Sequence, residues 1–218
     1  MSLASTAPGP ISRAEGYRRC AAIFGEIGTV DAYLRFELEL AEAQAETGLI
    51  PPGALPAIRR ACTTTVIDLE AVEASAARVG FPIVAVVSML AEAAGDAGQW
   101  LHYGATTQDA IDTGQVLQLR DALAGVQADL AALCTTLADL ADRHRATPMA
   151  GRSKLQHGVP LSFGYKVAVW LDQIERCAAR LRRATQEASV LQFGGAVGTL
   201  ASLDAHGAAV RRALAARL

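Results

Sequence analysis

Aromatic residues are scarce in this sequence, only 5% of its 218 residues. A core built from it must therefore be filled by small aliphatic side chains, and about a fifth of the chain is Ala. Close helix–helix packing is the natural use of such a composition. Neither sign of charge dominates. Twenty Lys plus Arg oppose 22 Asp plus Glu, for a formal charge of -2. A chain without a basic surplus carries no net electrostatic footprint for nucleic acid. Cysteine is sparse as well. Cys20, Cys62, Cys134 and Cys177 form no CxxC pair, which disfavours a disulfide scaffold, and they read as reduced apolar fillers. The 19 Gly and 8 Pro are too few for a fibrous or low-complexity chain. The apolar run Phe81–Leu90 is too short to span a bilayer and stops at Glu92. Met1–Pro10 has no basic region followed by an apolar stretch, so no signal peptide is expected, and a cytoplasmic location is the default.

What is present is 51% hydrophobic and 19% charged, enough for one large domain or two small ones. The periodicity is helical. Thr29–Glu46 predicts a helix with Tyr33, Leu34, Leu38 and Ala41 towards one side, ended by Gly48 and Pro51–Pro52. Ala54–Cys62 and Val66–Val79 predict shorter helices, the second closed by Gly80, and Pro82 starts another that ends near Gly95. After the irregular stretch Gly98–Ala105 comes the longest helix. Thr106 caps it, with Asp109 closing a capping box. Val116, Leu119, Leu123, Val126, Leu130, Leu133, Leu137 and Leu140 alternate spacings of three and four, a seam for packing against other long helices. From Thr107 to about Arg143 such a helix is ~55 Å long.

Pro148 ends the pattern, and an irregular polar segment is expected over Met149–Pro160. A second long helix runs from near Leu161 to about Val190, and a glycine-rich turn, Phe193–Thr199, leads to a third helix carrying Val210 and Leu214. Arg180, Arg182 and Arg183 read as a solvated helix face. The expected organisation is a short-helix N-terminal domain over 1–114 and a long-helix bundle over 115–218.

The candidate chemistry lies in two polar segments at helix starts. His102 stands beside Tyr103 and Gly104, just before Thr106, Thr107 and Gln108. Hydroxyl and amide donors at a helix N-terminus suit a carboxylate, although an ordinary capped helix with a loop histidine reads the same. In the second segment, Arg152 can clamp a carboxylate, Lys154 adds a point charge, Gln156 can hydrogen-bond an oxygen, and His157 suits proton transfer near neutrality. A solvated interhelix loop remains open there. His144 and His206 read as structural or non-catalytic. No HExxH, CxxC or DxD pair puts metal ligands on one face, so no metal or cofactor is expected. The glycines at 194, 195 and 198 follow a helix pattern, so a dinucleotide fold is unsupported and a tight turn is the simpler use.

These residues also carry a resemblance. His102-Tyr103-Gly104-Ala105-Thr106-Thr107-Gln108-Asp109, with Asp112 and Thr113 following, resembles the first conserved region of the fumarase/aspartase superfamily. Gly151–Pro160 resembles the second. Phe193–Thr199 resembles the branch holding adenylosuccinate lyases and carboxymuconate cycloisomerases, and His157 after Leu155-Gln156 is most similar to the bacterial cycloisomerases. Ser12 and Arg13 resemble a substrate-contacting segment of that branch. The resemblance implies an all-α fold with short N-terminal helices and a long-helix bundle. It also implies a homotetramer whose active sites draw on three subunits, and cofactor-free and metal-free addition to, or elimination from, a di- or tricarboxylate. In the cycloisomerases, a substrate carboxylate adds across an alkene within the same molecule to give a lactone.

The resemblance further implies that Thr106, Thr107 and Gln108 bind a carboxylate and that His102 contacts substrate or supports its loop. His157 acts as acid/base or orients a carboxylate, with Arg152, Lys154 and Gln156 as anion-binding neighbours. Two departures stand out. The family's third region, a serine-containing loop, is absent from these residues, so the chain is expected to be an N-terminal half that is inactive alone. Lys154 stands where relatives often carry a histidine or a bulky apolar residue. Two other readings remain: a sister lyase releasing fumarate, and a helical interaction module or inactive fragment. Neither nucleic acid nor membrane is an expected partner.

Overall fold

A computed structural model describes residues 14–218. The architecture is all-α with one added hairpin, shorter helices preceding the long ones. The helices are α1 (Glu15–Phe24), α2 (Glu26–Glu46), α3 (Leu55–Thr64), α4 (Leu69–Val79), α5 (Ile83–Ala94), α6 (Thr107–Arg143), α7 (Phe163–Ala188) and α8 (Gly207–Arg217). The strands β1 (Pro148–Ser153) and β2 (Gln156–Ser162) lie between α6 and α7. Ser12 and Arg13 fall outside the described residues.

The chain forms two compact units. One comprises residues up to Asp121 together with Ser189–Leu218, and the other is Ala122–Ala188. The expected division between residues 114 and 115 falls inside α6, which the units share, and α8 belongs with the first unit because it packs on α2.

In the first unit α2 is the central helix, in contact with α1, α3, α5 and α8. Val30, Tyr33, Phe36, Leu40 and Ala43 line its buried side, and Ile58, Ile83, Val86, Leu90, Leu203, Val210 and Leu214 complete the core. Local signals set the helix ends. Asp68 accepts N–H bonds from Glu70 and Ala71, starting α4 slightly later than the periodicity predicts. Gly80, at φ +86°, ends it in the left-handed conformation that glycine adopts without a Cβ penalty.

In the second unit α6 and α7 run antiparallel. Gln127 Nε2 donates to Thr185 Oγ1 at 3.1 Å near one end. At the other, a Cβ on Gly164 would collide with the Ala141 carbonyl and come within 2.7 Å of the Arg145 backbone. Only glycine allows so close a start to α7. His144 belongs to this junction. Its carbonyl accepts the Gly164 N–H, and its ring meets Phe163 edge-on at 5.3 Å. The seam residues Leu123, Val126, Leu130, Leu171, Ile174 and Leu181 are only partly buried, Leu133 and Trp170 stay 41% and 45% exposed, and Arg180, Arg182 and Arg183 face solvent.

The segment expected to be irregular is an antiparallel hairpin pairing Pro148 with Ser162 and Arg152 with His157. Its turn is Lys154–Leu155, both at positive φ (36° and 67°). Such two-residue turns usually announce themselves as Asn-Gly or Asp-Gly. Lys-Leu gives no such signal, and the flanking residues do not alternate apolar with polar.

Candidate functional site

The loop ahead of α6 is held by two polar side chains of α2. Glu37 is buried and uses both carboxylate oxygens on His102. Oε2 accepts the backbone N–H at 3.0 Å and Oε1 lies 2.5 Å from Nδ1. Two turns further along, buried Gln44 donates from Nε2 to the Tyr103 carbonyl at 2.6 Å. These bonds fix a sharp backbone path, with His102 at φ +55° and Gly104 at φ +72°. A side chain at Gly104 would also run into Leu203. Trp100 packs edge-on against Tyr103 at 5.4 Å.

The hold on Nδ1 leaves Nε2 without a hydrogen-bond partner among the described residues. An open cavity of about 180 Å³ borders this residue, lined by Ile83, Val84, Val87, His102 and Thr107. A cavity formed by Phe24, Thr29, Tyr33, Gln115, Gln118 and Leu119 holds none of the expected site residues.

Burial by itself would lower the His102 pKa. The hydrogen bond to Glu37 and the charges of Glu37 and Asp109 outweigh it, and the net shift is upward from the usual ~6.5. A raised folded-state pKa stabilises fully below the unfolded value, and that contribution is lost as pH rises through the folded one. Stability is therefore expected to decline as pH rises above ~6.5, and Glu37→Leu to flatten that decline. Urea midpoints across a pH series check this; equal slopes for both proteins would contradict it.

The first turn of α6 is tied to the glycine-rich turn. Asp109 Oδ2 accepts from Thr106 N–H at 3.0 Å and from Gly195 N–H at 2.9 Å, while Oδ1 accepts from Gly194 N–H at 2.9 Å. The bond to Thr106 is the returning half of the expected capping box. One turn on, the Thr113 hydroxyl donates to the Gln192 carbonyl at 2.8 Å and accepts the Gln192 N–H at 3.2 Å. Gly195, at φ +70°, lies so close to Gly104 that an added Cβ would sit 3.0 Å from its carbonyl oxygen. The sequence blocks around residues 102–109 and 193–199 therefore meet, and the glycines serve the close backbone approach expected of them.

Thr106 and Thr107 are half-buried, and while the Asp109 N–H reaches the Thr106 carbonyl at 3.0 Å, the N–H groups of Thr107 and Gln108 precede the intrahelical ladder. Gln108 is exposed, and its amide donates to Asp112 Oδ1 at 2.6 Å, so a ligand would compete with that bond.

The other expected site residues lie in the second unit. Arg152, Lys154, Gln156 and His157 are all exposed on the hairpin. Arg152 and His157 are cross-strand partners, so their side chains rise on the same face. Gly151 sits where β1 slips register, and a Cβ there would come 2.5 Å from the Val159 carbonyl. The hairpin thus presents two cations and an imidazole next to one another, a surface suited to carboxylates. Among the described residues, no group of three or more His, Cys, Asp or Glu side chains is placed to hold a metal ion.

Glu37 and Gln44 escape the sequence reading, although a signal exists. They continue the spacing of Val30, Tyr33 and Leu40 along the buried side of α2, and polar residues on an apolar stripe need a partner.

A protein-family model described as Lyase matches residues 19–218. The 3-carboxy-cis,cis-muconate cycloisomerase of Pseudomonas aeruginosa is 44% identical over 201 residues, covering 90% of this chain and 44% of that protein. A fumarate lyase structure from Mesorhizobium sp. BNC1 superposes with a TM-score of 0.88 at 43% identity, covering 92% of this chain and 47% of that one. The 3-carboxy-cis,cis-muconate lactonizing enzyme of Pseudomonas putida gives 0.86 at 40% identity, covering 91% and 46%. The match takes in nearly all of this chain, which spans about half the length of these relatives.

Proposed function

Because this chain belongs to the lyase family, within the fumarase/aspartase superfamily, we propose that it is part of a 3-carboxy-cis,cis-muconate cycloisomerase. In this reading one carboxylate of the substrate adds across an alkene of the same molecule. A C–O bond forms, the π electrons move to the carbon beside another carboxylate, and that carbon takes a proton to give 4-carboxymuconolactone. The closure is intramolecular, so holding the substrate in a near-attack shape lowers the barrier strongly. The remaining demand is stabilisation of negative charge that develops beside a carboxylate.

The observation that carries the reading is the exposed pairing of Arg152 with His157 across the hairpin, flanked by Lys154. It supplies cations for the developing charge and a group that transfers protons near neutrality. Thr106, Thr107 and Gln108 would bind a carboxylate at the start of α6, where the helix dipole favours an anion. His102 would contact the substrate beside them, and Gln156, Ser12 and Arg13 would complete its binding. The half-buried seams of α6 and α7 support assembly with further copies, a homotetramer with shared active sites, in the cytoplasm.

The Mesorhizobium likeness favours one alternative, a lyase that releases fumarate. A substrate panel separates the two. The protein in its natural length is incubated with 3-carboxy-cis,cis-muconate, adenylosuccinate and argininosuccinate, and the products are identified by proton NMR. The proposal expects lactone from the first and no fumarate from the others. Fumarate release without lactonisation would overturn it, and no turnover at all would favour an interaction module.

A further inference from the structure

We propose that Glu37 is a positioning residue that keeps the His102 imidazole proton on Nδ1 and so presents Nε2 to the substrate. The inference rests on the reading that carboxylate chemistry takes place at the start of α6.

Two buried side chains of α2 pin the same loop, and they do so differently. Gln44 holds the Tyr103 carbonyl with a neutral amide. Glu37 holds the His102 backbone N–H with one oxygen and brings the other to Nδ1 at 2.5 Å. A neutral glutamine would suffice to accept a backbone N–H. A buried carboxylate costs far more to desolvate than an amide, unless a charged or strongly polar partner meets it. That partner is Nδ1. An acceptor-only carboxylate admits only the Nδ1–H form of the ring, neutral or cationic, so the tautomer is decided by α2 and not by the loop itself.

Nδ1 is turned to Glu37, and the groups around His102 come from four helices. The carboxylates of Glu37, from α2, and Asp109, from α6, act on it electrostatically. Ile83, Val84 and Val87, from α5, are apolar and line a cavity together with His102 and Thr107. Cys62 of α3 is buried close enough to Glu37 to feel its charge. Burial, and then that charge, push its thiol pKa up to about 12, so it stays neutral. Among the described residues Nε2 has no hydrogen-bond partner. The side chain is 18% exposed, enough to meet a ligand and too little to rotate freely. His102 also occupies φ +55°, a conformation that a non-glycine residue holds only when its surroundings impose it.

Glu37→Gln isolates the tautomer from the backbone contact. The amide oxygen still accepts the His102 N–H, while the amide NH₂ faces Nδ1 and drives the proton to Nε2. The readout is a two-bond ¹H–¹⁵N correlation spectrum of the histidine rings, with His102 assigned through His102→Gln, together with kcat and KM on the turned-over substrate. In the wild type the neutral His102 ring is expected to be protonated on Nδ1. In Glu37→Gln it is expected to be protonated on Nε2, with a lower titration midpoint. The kcat is expected to fall by roughly 10²-fold, the lower end of what general acid–base catalysis contributes, with KM changed far less. Glu37→Asp, which keeps the carboxylate, is expected to restore the Nδ1–H form and part of kcat.

Retention of the Nδ1–H form in Glu37→Gln overturns the proposal, as does an unchanged kcat with a flipped tautomer. A wild-type protein inert on every carboxylate overturns the functional reading and the catalytic half of this inference. The spectrum alone then decides whether Glu37 sets the proton's place.

Discussion

Asp109→Ala is expected to destabilise the protein by about 3–4.5 kcal/mol, through the loss of acceptors for three half-buried backbone donors at ~1–1.5 kcal/mol each. Asp109 is 1% exposed, so water cannot readily replace the carboxylate. Its bonds to Gly194 and Gly195 cross 85 and 86 residues of sequence. The variant therefore frees the glycine-rich turn from α6 as well as uncapping the helix. Asp109→Asn keeps one acceptor oxygen and is expected to lose about half as much. Urea unfolding followed by Trp100 emission checks this, since Trp100 packs on Tyr103 beside the same loop. A loss below ~1 kcal/mol, the worth of a single hydrogen bond, would show that the carboxylate does not hold the turn.

His157→Gln is expected to lower kcat by about 10²–10⁴-fold, the usual share of a general acid or base, while leaving stability within ~0.5 kcal/mol. The two effects separate because the His157 side chain is exposed on β2 and contributes nothing to a core. His144→Gln is the internal control. Its ring packs on Phe163 where α6 hands over to the hairpin, so it is expected to alter stability and leave kcat alone. Comparable kcat in His157→Gln and the wild type would remove His157 from the mechanism and leave His102 as the proton-transfer candidate.

The long elements were legible because their signals are local. A helix from Thr107 to about Arg143 follows from a seam spaced by three and four and from the Thr106–Asp109 cap, and α6 has those limits. Gly80 and Pro82 mark the end of α4 and the start of α5 for reasons that lie within a few bonds of each residue. α1 is different. Tyr17, Cys20, Ala21 and Phe24 share one side of it at helical spacing, yet none of its residues is buried, and the sequence reading passes over it. The hairpin is missed for a related reason. All of Gln156–Pro160 is exposed, so nothing forces the apolar–polar alternation by which a strand is recognised. The candidate site residues on it could nonetheless be singled out, because basic and imidazole side chains clustered between two long helices carry their chemistry whatever the backbone does.

The sequence by itself determined the helical class, the long-helix limits and the residue types that can bind a carboxylate, since each depends on spacing or chemistry within a few positions. The partners of those residues came from packing. Glu37 reaches His102 across 65 residues, and Gln44 reaches Tyr103 across 59. Such pairs form because α2 is buried at the centre of its unit, where any polar group must find a complement or incur the cost of desolvation. Helical periodicity records which side of α2 is buried, and is silent about which loop will lie against it.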